Sequence, residues 1–453
     1  MEKYDLIVIG SGSGQIVVDE AISQGWKVAL IDQGPLGGTC LNVGCIPSKM
    51  LIFPADRIVE MQEAGKLGIA VDITNIDFKS IMQSMRTSIS QSRDDIMEAV
   101  SSTENLHFYA GTARFTGDYM LEVNEEQISA PKIVIATGTR PFIPPIKGIE
   151  GVSYLTNETA LQLEKKPHSL IIIGGGYIAV EFGHFFAAMG TEVTMVEMAD
   201  RLVTAEEPEI SELLKRSLGR RMGVYTNYAV VAIEKRSDNI VIIADNKAGG
   251  GQKEFTGGSV MMAVGRKSNA DTLNLQNTGV EIGGRGFIKV DEYLETSKKN
   301  IYAIGDSNGQ QMFRHVANAE AWLVAGNMLY DTDIKMDYTA APHAVYSHPQ
   351  IASVGLSEEA ARKHHGILVG KTRYYDIAKG EAMLESEGFA KAIIEKDTHK
   401  ILGFHIIGPY APELIQEVVN AISSGGHAEE INDSMHIHPA LSELVQSAIN
   451  NVV

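Results

Sequence analysis

Cys40 and Cys45 are the only cysteines in 453 residues, and they stand together in the run Gly37-Gly-Thr-Cys-Leu-Asn-Val-Gly-Cys-Ile-Pro-Ser-Lys49. A chain of this size with two cysteines has no disulfide framework, so a structural staple is the weaker explanation of the pair. Two sulfurs just downstream of a glycine-rich nucleotide-binding start suit reversible dithiol–disulfide exchange. That chemistry needs a thiolate attacker and a group that takes and returns a proton near neutral pH. Histidine has the right affinity for that proton. The cysteine spacing is long for a tight redox loop, but a helix start would set both sulfurs on one face, and its N-terminus would favour Cys45 as thiolate.

The elements that position these residues form a large internal repeat. Asp5-Leu-Ile-Val-Ile-Gly10 is an apolar run entering Gly10-Ser-Gly12-Ser-Gly14, followed by a helical stretch to about Gln24 and a return strand over Lys27–Asp32. The same grammar recurs from Leu170 through Gly174-Gly-Gly176-Tyr177-Ile-Ala179, with a helix to about Met189 and a strand over Thr191–Glu197. Gly10 and Gly174 permit the sharp turn, and Gly12 and Gly176 let backbone N–H groups approach a pyrophosphate at a helix N-terminus. Asp32 and Glu197 stand where a carboxylate holds a ribose hydroxyl. The third glycine of the pattern is replaced by Gln15 and Ala179, so Gln15 is expected to point away from the strand or to be housed by a small neighbour. Because the cysteines follow the first unit, its ligand must pass electrons to a disulfide, which selects FAD; the second unit suits a nicotinamide dinucleotide. Glu197 favours NAD over NADP by repelling a 2′-phosphate, although Ala179 and Arg201 keep NADP possible.

Composition bounds the rest. The length calls for more than one domain. A net charge of −18 argues against a nucleic-acid partner and for solubility. No segment approaches the apolar length of a membrane span, and the chain enters its first strand without a targeting segment, so the expected address is cytoplasmic. Histidines and methionines are scattered without metal-ligand spacing, and no metal is expected.

Further motifs extend the pattern along the whole chain: Ile135-Ala-Thr-Gly138, Gly174 to Glu181, Val264-Gly-Arg-Lys-Ser-Asn269, Ile301-Tyr-Ala-Ile-Gly-Asp306, Ser347 to Gly355, and His436 to Glu443. With the cysteine motif, they identify the chain as resembling the class I pyridine nucleotide-disulfide oxidoreductases, the flavoprotein family of dihydrolipoyl dehydrogenase, glutathione reductase, mycothione reductase and mercuric reductase. The resemblance implies an α/β fold with two Rossmann-like dinucleotide-binding domains and a C-terminal α+β dimerisation domain. The expected division is an FAD-binding domain over 1–148, an NAD(P)-binding domain over 149–265, a central domain completing the FAD site over 266–336, and an interface domain over 337–453. In that last domain Leu414, Ile415, Val418, Val419 and Ile422 recur at helical period. A homodimer is implied, with the histidine of one chain serving the cysteines of the other.

Residue by residue, the resemblance implies that Cys40 is the interchange thiol and Cys45 the charge-transfer thiol beside the flavin. His438 handles the proton and Glu443 orients it; the His438–Pro439 bond is cis in the family pattern, and His436 is structural. Lys49 and Glu181 form an ion pair beside the flavin. Gly10, Gly12, Gly14, Asp32, Thr39, Lys49, Thr137, Gly138 and Asp306 are the FAD-binding set, and His315 lies near the flavin. Gly174, Gly176, Tyr177, Glu181, Glu197 and Gly265 are the NAD(P)-binding set, with Tyr177 as a flavin lid that yields to nicotinamide.

Dihydrolipoyl dehydrogenase is the preferred activity, because Glu197 favours NAD and lipoyl substrates travel with NAD in this family. An NAD(P)H-dependent low-molecular-weight disulfide reductase resembling mycothione reductase is the alternative, on Gly12-Ser-Gly-Gln15, Asp19-Glu20 and His315-Val-Ala-Asn318. The expected partner is a small dithiol or disulfide, or a lipoyl-bearing protein. A docking subunit or a simple oxidase would leave the cysteines, His438 and Glu443 without work.

Overall fold

The computed structural model describes Met1–Val453 as two compact units, each assembled from three stretches of chain. The first comprises Met1–Ser48, Gln83–Phe142 and Arg266–Asp337. Its centre is a five-stranded parallel sheet in the order Ile301–Ala303, Lys132–Ile135, Leu6–Ile9, Val28–Asp32, Leu106–Ala110. Strand alternation divides its apolar residues between two cores. Leu6, Val8, Val28 and Leu30 pack under Val17, Val18 and Ala21 of the Gly14–Ser23 helix. Ile7, Ile9, Ala29 and Ile31 face the opposite way, onto Phe115, Leu121, Val123 and Ile128. A sheet covered on both faces explains why the central strands read as continuous apolar runs.

The second unit comprises Lys49–Met82, Ile143–Gly265 and Tyr338–Val453. It repeats the parallel theme in the order Gly223–Tyr225, Glu192–Val196, Ser169–Ile173, Ser259–Met262. The Tyr177–Ala188 helix follows the first of these strands in sequence, Ser169–Ile173. Toward its C-terminal end the unit adds a five-stranded antiparallel sheet in the order Pro342–Val345, Ile351–Gly355, Ile401–Ile407, Phe389–Glu395, Ile367–Arg373. Helices Ala411–Ser424 and Glu443–Asn450 pack on it. Ile415 and Val418 of the period-3.6 run are buried in that core, while Leu414, Val419 and Ile422 are half-buried at its edge.

The architecture is the expected α/β one, with both strand–turn–helix–strand units formed: the helices end at Ser23 and Ala188, and the return strands cover Val28–Asp32 and Glu192–Val196. No helix is long and apolar enough to cross a membrane.

Candidate active site

The two glycine turns are built alike. Gly10 adopts φ 110° and Gly174 φ 122°, and a side chain at either would stand 2.2 Å from a backbone oxygen, of Ala136 and Ala263 respectively. Both the left-handed backbone and the close neighbouring strand therefore demand glycine. Gly176 instead faces open space, with nothing within 4 Å of an added side chain, whereas one at Gly12 would sit in ordinary contact with Arg314 Nη1 at 3.7 Å and Gly38 Cα at 3.9 Å. Gly14 points into the fold, where a side chain would meet Val8 Cγ1 at 2.8 Å. It thus provides the close helix–strand approach for which the pattern normally reserves its third glycine. Gln15 is turned along the helix, its Nε2 donating to Asp19 Oδ1 at 2.9 Å.

Asp32 is tied into its own turn: Oδ2 accepts from the Ser11 N–H at 2.8 Å and Oγ at 2.6 Å, and Oδ1 accepts from the Gly34 N–H at 2.9 Å. Glu197 Oε1 accepts from the Ala199 N–H at 2.6 Å, which aims the carboxylate and leaves Oε2 open.

Gly37 and Gly38, at φ 97° and 65°, turn the chain into a short helix, Gly38–Val43, that carries Thr39 and Cys40. Gly44 breaks it, and Cys45 is the first residue of the Cys45–Glu63 helix. The sulfurs are thus presented by two successive helices rather than by one helix start. Asn42, which sequence reasoning passed over, pins the loop: its Nδ2 reaches the carbonyls of Pro35 and Leu36 at 3.0 Å and Gly38 at 2.8 Å. Both cysteines are in the thiol form, Cys40 half-buried and Cys45 exposed. The thiol lowered by its surroundings is Cys40, to about 7, chiefly through its hydrogen bond with Cys45, with burial opposing and the Arg314 guanidinium assisting. Arg314, the first residue of the Arg314–Tyr330 helix, is a second residue the sequence patterns did not single out. His315 beside it is exposed and stacks on Phe313 at 5.7 Å between ring centres.

FAD fits the residues of this unit on its own geometry. Thr137 Oγ1 is buried with no hydrogen-bond partner, a costly state that a ligand's polar groups would relieve. Gly138, at φ 62°, leaves the space beside it open, with nothing within 4 Å of an added side chain. Asp306 Oδ2 accepts from Thr139 Oγ1 at 2.6 Å and lies 3.8 Å from Arg266 Nε.

In the second unit Lys49 Nζ donates to both oxygens of Glu181, at 2.9 and 2.7 Å. Glu181 is almost fully buried, and burial pushes its carboxyl upward against the opposing pull of Lys49. Two contacts from Tyr346, unforeseen from sequence, complete the arrangement: its N–H donates to Glu181 Oε1 at 3.0 Å and its ring lies 4.5 Å beneath the ammonium. Tyr177 opens its helix half-exposed, and Gly265, at φ 134°, has nothing within 4 Å of its absent side chain. These openings and the free Glu197 oxygen fit a nicotinamide dinucleotide.

Near the C-terminus, His438 Nδ1 and Glu443 Oε1 are 2.8 Å apart, and Glu443 Oε2 accepts from the Ala440 N–H at 3.0 Å. His438 and that N–H hold the Glu443 carboxyl below its usual range. The His438–Pro439 bond is cis, and the His438 side chain is 70% exposed, so its Nε2 is presented to whatever approaches. His436 is engaged elsewhere, with Nε2 2.7 Å from Glu417 Oε1.

Comparison with known proteins agrees with this geometry. Residues 4–321 match the family model described as pyridine nucleotide-disulphide oxidoreductase, and residues 341–449 match its dimerisation domain. The chain belongs to this family. Mycothione reductase of Mycobacterium tuberculosis is 34% identical over 99% of both chains. Dihydrolipoyl dehydrogenase of Bacillus subtilis is 32% identical over 98% of this chain and 97% of that one. The solved HOCl-induced flavoprotein disulfide reductase RclA from Escherichia coli superposes with a TM-score of 0.87 at 27% identity, covering 99% of each chain. The protein is accordingly a flavoprotein disulfide oxidoreductase that uses FAD and NAD(P), and its dimerisation domain supports a homodimer.

Proposed function

We propose that the protein is an NAD-linked dihydrolipoyl dehydrogenase, divided into FAD-binding, NAD-binding, central and interface domains over 1–148, 149–265, 266–336 and 337–453. The observation that carries the reading is the Cys40–Cys45 pair, one sulfur hydrogen-bonded to the other and lowered to about 7. NAD is preferred because Glu197 keeps one carboxylate oxygen open for a ribose diol and repels a 2′-phosphate.

FAD, held by Gly10, Gly12, Asp32, Thr39, Thr137, Gly138 and Asp306, supplies two-electron exchange between the nicotinamide and the cysteine pair. The chain's own residues do the sulfur and proton chemistry. One substrate thiolate attacks Cys40 Sγ of the oxidised pair, breaking the Cys40–Cys45 bond and leaving Cys45 as thiolate. The second substrate thiolate then attacks the mixed disulfide, and Cys40 departs as the substrate closes its own disulfide. His438, from the other protomer of the dimer, takes the proton of the attacking thiol and returns it in the reverse direction, while Glu443 fixes its Nδ1 and stabilises the charged ring. Lys49, held by Glu181, places positive charge beside the flavin. Gly174, Gly176 and Gly265 admit the nicotinamide dinucleotide.

A second reading, a low-molecular-weight disulfide reductase, is supported by the mycothione reductase relative at 34% identity. One assay grid tests both: dihydrolipoamide with NAD and with NADP, then NADH and NADPH with a panel of disulfides. Rapid dihydrolipoamide oxidation by NAD is expected; turnover confined to NADPH and a small thiol disulfide would replace the first reading with the second.

A further inference from the structure

The Lys49–Glu181 pair does not stand alone. Lys49, Asp56 and Glu63 are spaced by seven along the Cys45–Glu63 helix, which places them on one stripe two turns apart. Each meets a partner: Lys49 Nζ lies 2.7 Å from Glu181, Asp56 Oδ1 lies 2.8 Å from His184 Nε2, and Glu63 Oε1 lies 3.5 Å from His348 Nε2. Glu181 and His184 are three residues apart on the Tyr177–Ala188 helix and so share a face.

His184 is held at both nitrogens. Its Nδ1 accepts from Arg221 Nη1 at 2.9 Å, so the ring proton sits on Nε2 and is donated to Asp56. Arg221 Nη2 reaches past it to the His348 carbonyl at 2.7 Å, and the His348 ring stacks on His184 at 6.3 Å. The imidazole is 0% exposed, and burial, joined by the Arg221 charge, pushes its pKa down, so it is a neutral bridge between a cation and an anion. His348 in turn holds the Glu63 carboxyl well below its usual range. Burying such a set is costly unless every member is paired in good geometry. Apolar residues would cement the two helices more simply, so what the polar set adds is fixed register.

We propose that Asp56, His184 and Arg221 are positioning residues for the proposed reaction, a brace that sets the register of the Tyr177–Ala188 helix against the Cys45–Glu63 helix and so holds Glu181 on Lys49. The proposal rests on the reading that Lys49 faces the flavin. With both ring nitrogens of His184 engaged, neither sliding nor rotation of one helix is possible without breaking a buried hydrogen bond. Glu181, one turn earlier on the same face, inherits that register. Without the brace the ammonium is less firmly held, and the reduced flavin loses part of its stabilising charge.

The test measures the two-electron midpoint potential of the bound flavin in the full-length holoenzyme. Lys49→Met is expected to lower it most. His184→Leu and Asp56→Ala are each expected to shift the oxidised–reduced equilibrium about tenfold against the reduced form, roughly 30 mV. His184→Gln, which can accept from Arg221 and donate to Asp56, and Asp56→Asn, which retains the acceptor, should both restore the wild-type value. Should His184→Leu fail to retain flavin, the more peripheral Asp56→Ala carries the measurement. An unchanged potential in Lys49→Met removes the reading of the pair and the proposal with it. A shift in Lys49→Met, with none in Asp56→Ala or with no rescue by His184→Gln, overturns the proposal alone.

Discussion

The two glycine turns start from the same geometry and diverge in what their acidic residue does. Gly10 and Gly174 face identical obstacles, a backbone oxygen 2.2 Å from any added side chain. Yet Asp32 uses both carboxylate oxygens to hold Ser11 and Gly34, whereas Glu197 spends one oxygen on Ala199 and keeps the other open. The first acid is therefore tied into the turn at both oxygens, with acceptor capacity left for a ligand on Oδ1, while the second is held at one oxygen only. Their sequels differ as well. The first turn leads to a cysteine pair beside a cation, and the second leads into a helix bearing a buried carboxylate paired with lysine. A shared motif thus fixes where a dinucleotide can lie, and the residues that follow it decide what chemistry is done there.

The largest expected effect that would break this division comes from the cysteines. Cys40→Ser or Cys45→Ser should reduce dithiol turnover by on the order of 10⁴-fold or more, while NADH still bleaches the flavin in stopped-flow absorbance. Loss of that bleaching would show that the second turn's work depends on the first's sulfurs. His438→Gln should slow steady-state turnover by about 10²–10⁴-fold, again sparing flavin reduction by NADH. Next come the turns themselves. Gly10→Ala should release FAD, whereas Gly174→Ala should keep FAD and weaken NADH binding by about 10–100-fold, as strain of roughly 1–3 kcal/mol implies; titration of flavin and nicotinamide fluorescence reads both.

The acids sharpen the comparison further. Asp32→Asn should cost about 1.5–3 kcal/mol in unfolding free energy by weakening charge-assisted hydrogen bonds within the turn. Glu197→Gln should leave stability unchanged in the same denaturant experiment and lower the NAD-over-NADP preference in kcat/KM by about tenfold. The smallest effect concerns Cys40. Because its thiol is lowered to about 7, alkylation of the reduced enzyme should be slow below that pH and rise through it as thiolate forms. Arg314→Gln removes a charge that favours the thiolate, so the midpoint should move upward; a downward move would contradict the assigned cause.

Much of the fold was legible because its signals are local. Leu6–Ile9 and Leu170–Ile173 read as buried strands from continuous apolar character, and the glycines after them could be assigned from the turn each must make. The pairing of His438 with Glu443 was legible for the same reason: they stand five positions apart, and the chain between needs only one compact turn. Gly14 was harder to place, since its spacing suits a ligand-facing glycine while the structure packs it against Val8. The break at Gly44 was also hidden, because nothing in the cysteine run itself requires two helices instead of one.

The sequence by itself determined the chemistry on offer: two sulfurs, two dinucleotide turns, two acids at the strand ends and an imidazole with its carboxylate, all set by spacings that short-range backbone geometry can read. Tertiary structure alone decided which groups those residues answer to. Tyr346 on Lys49 and Glu181, Arg314 near Cys40, and Asp56 with Arg221 on His184 join positions far apart in the chain. Such pairs leave no periodic trace, because they are selected by the packing of whole helices and sheets and by the high cost of leaving a buried charge unpaired.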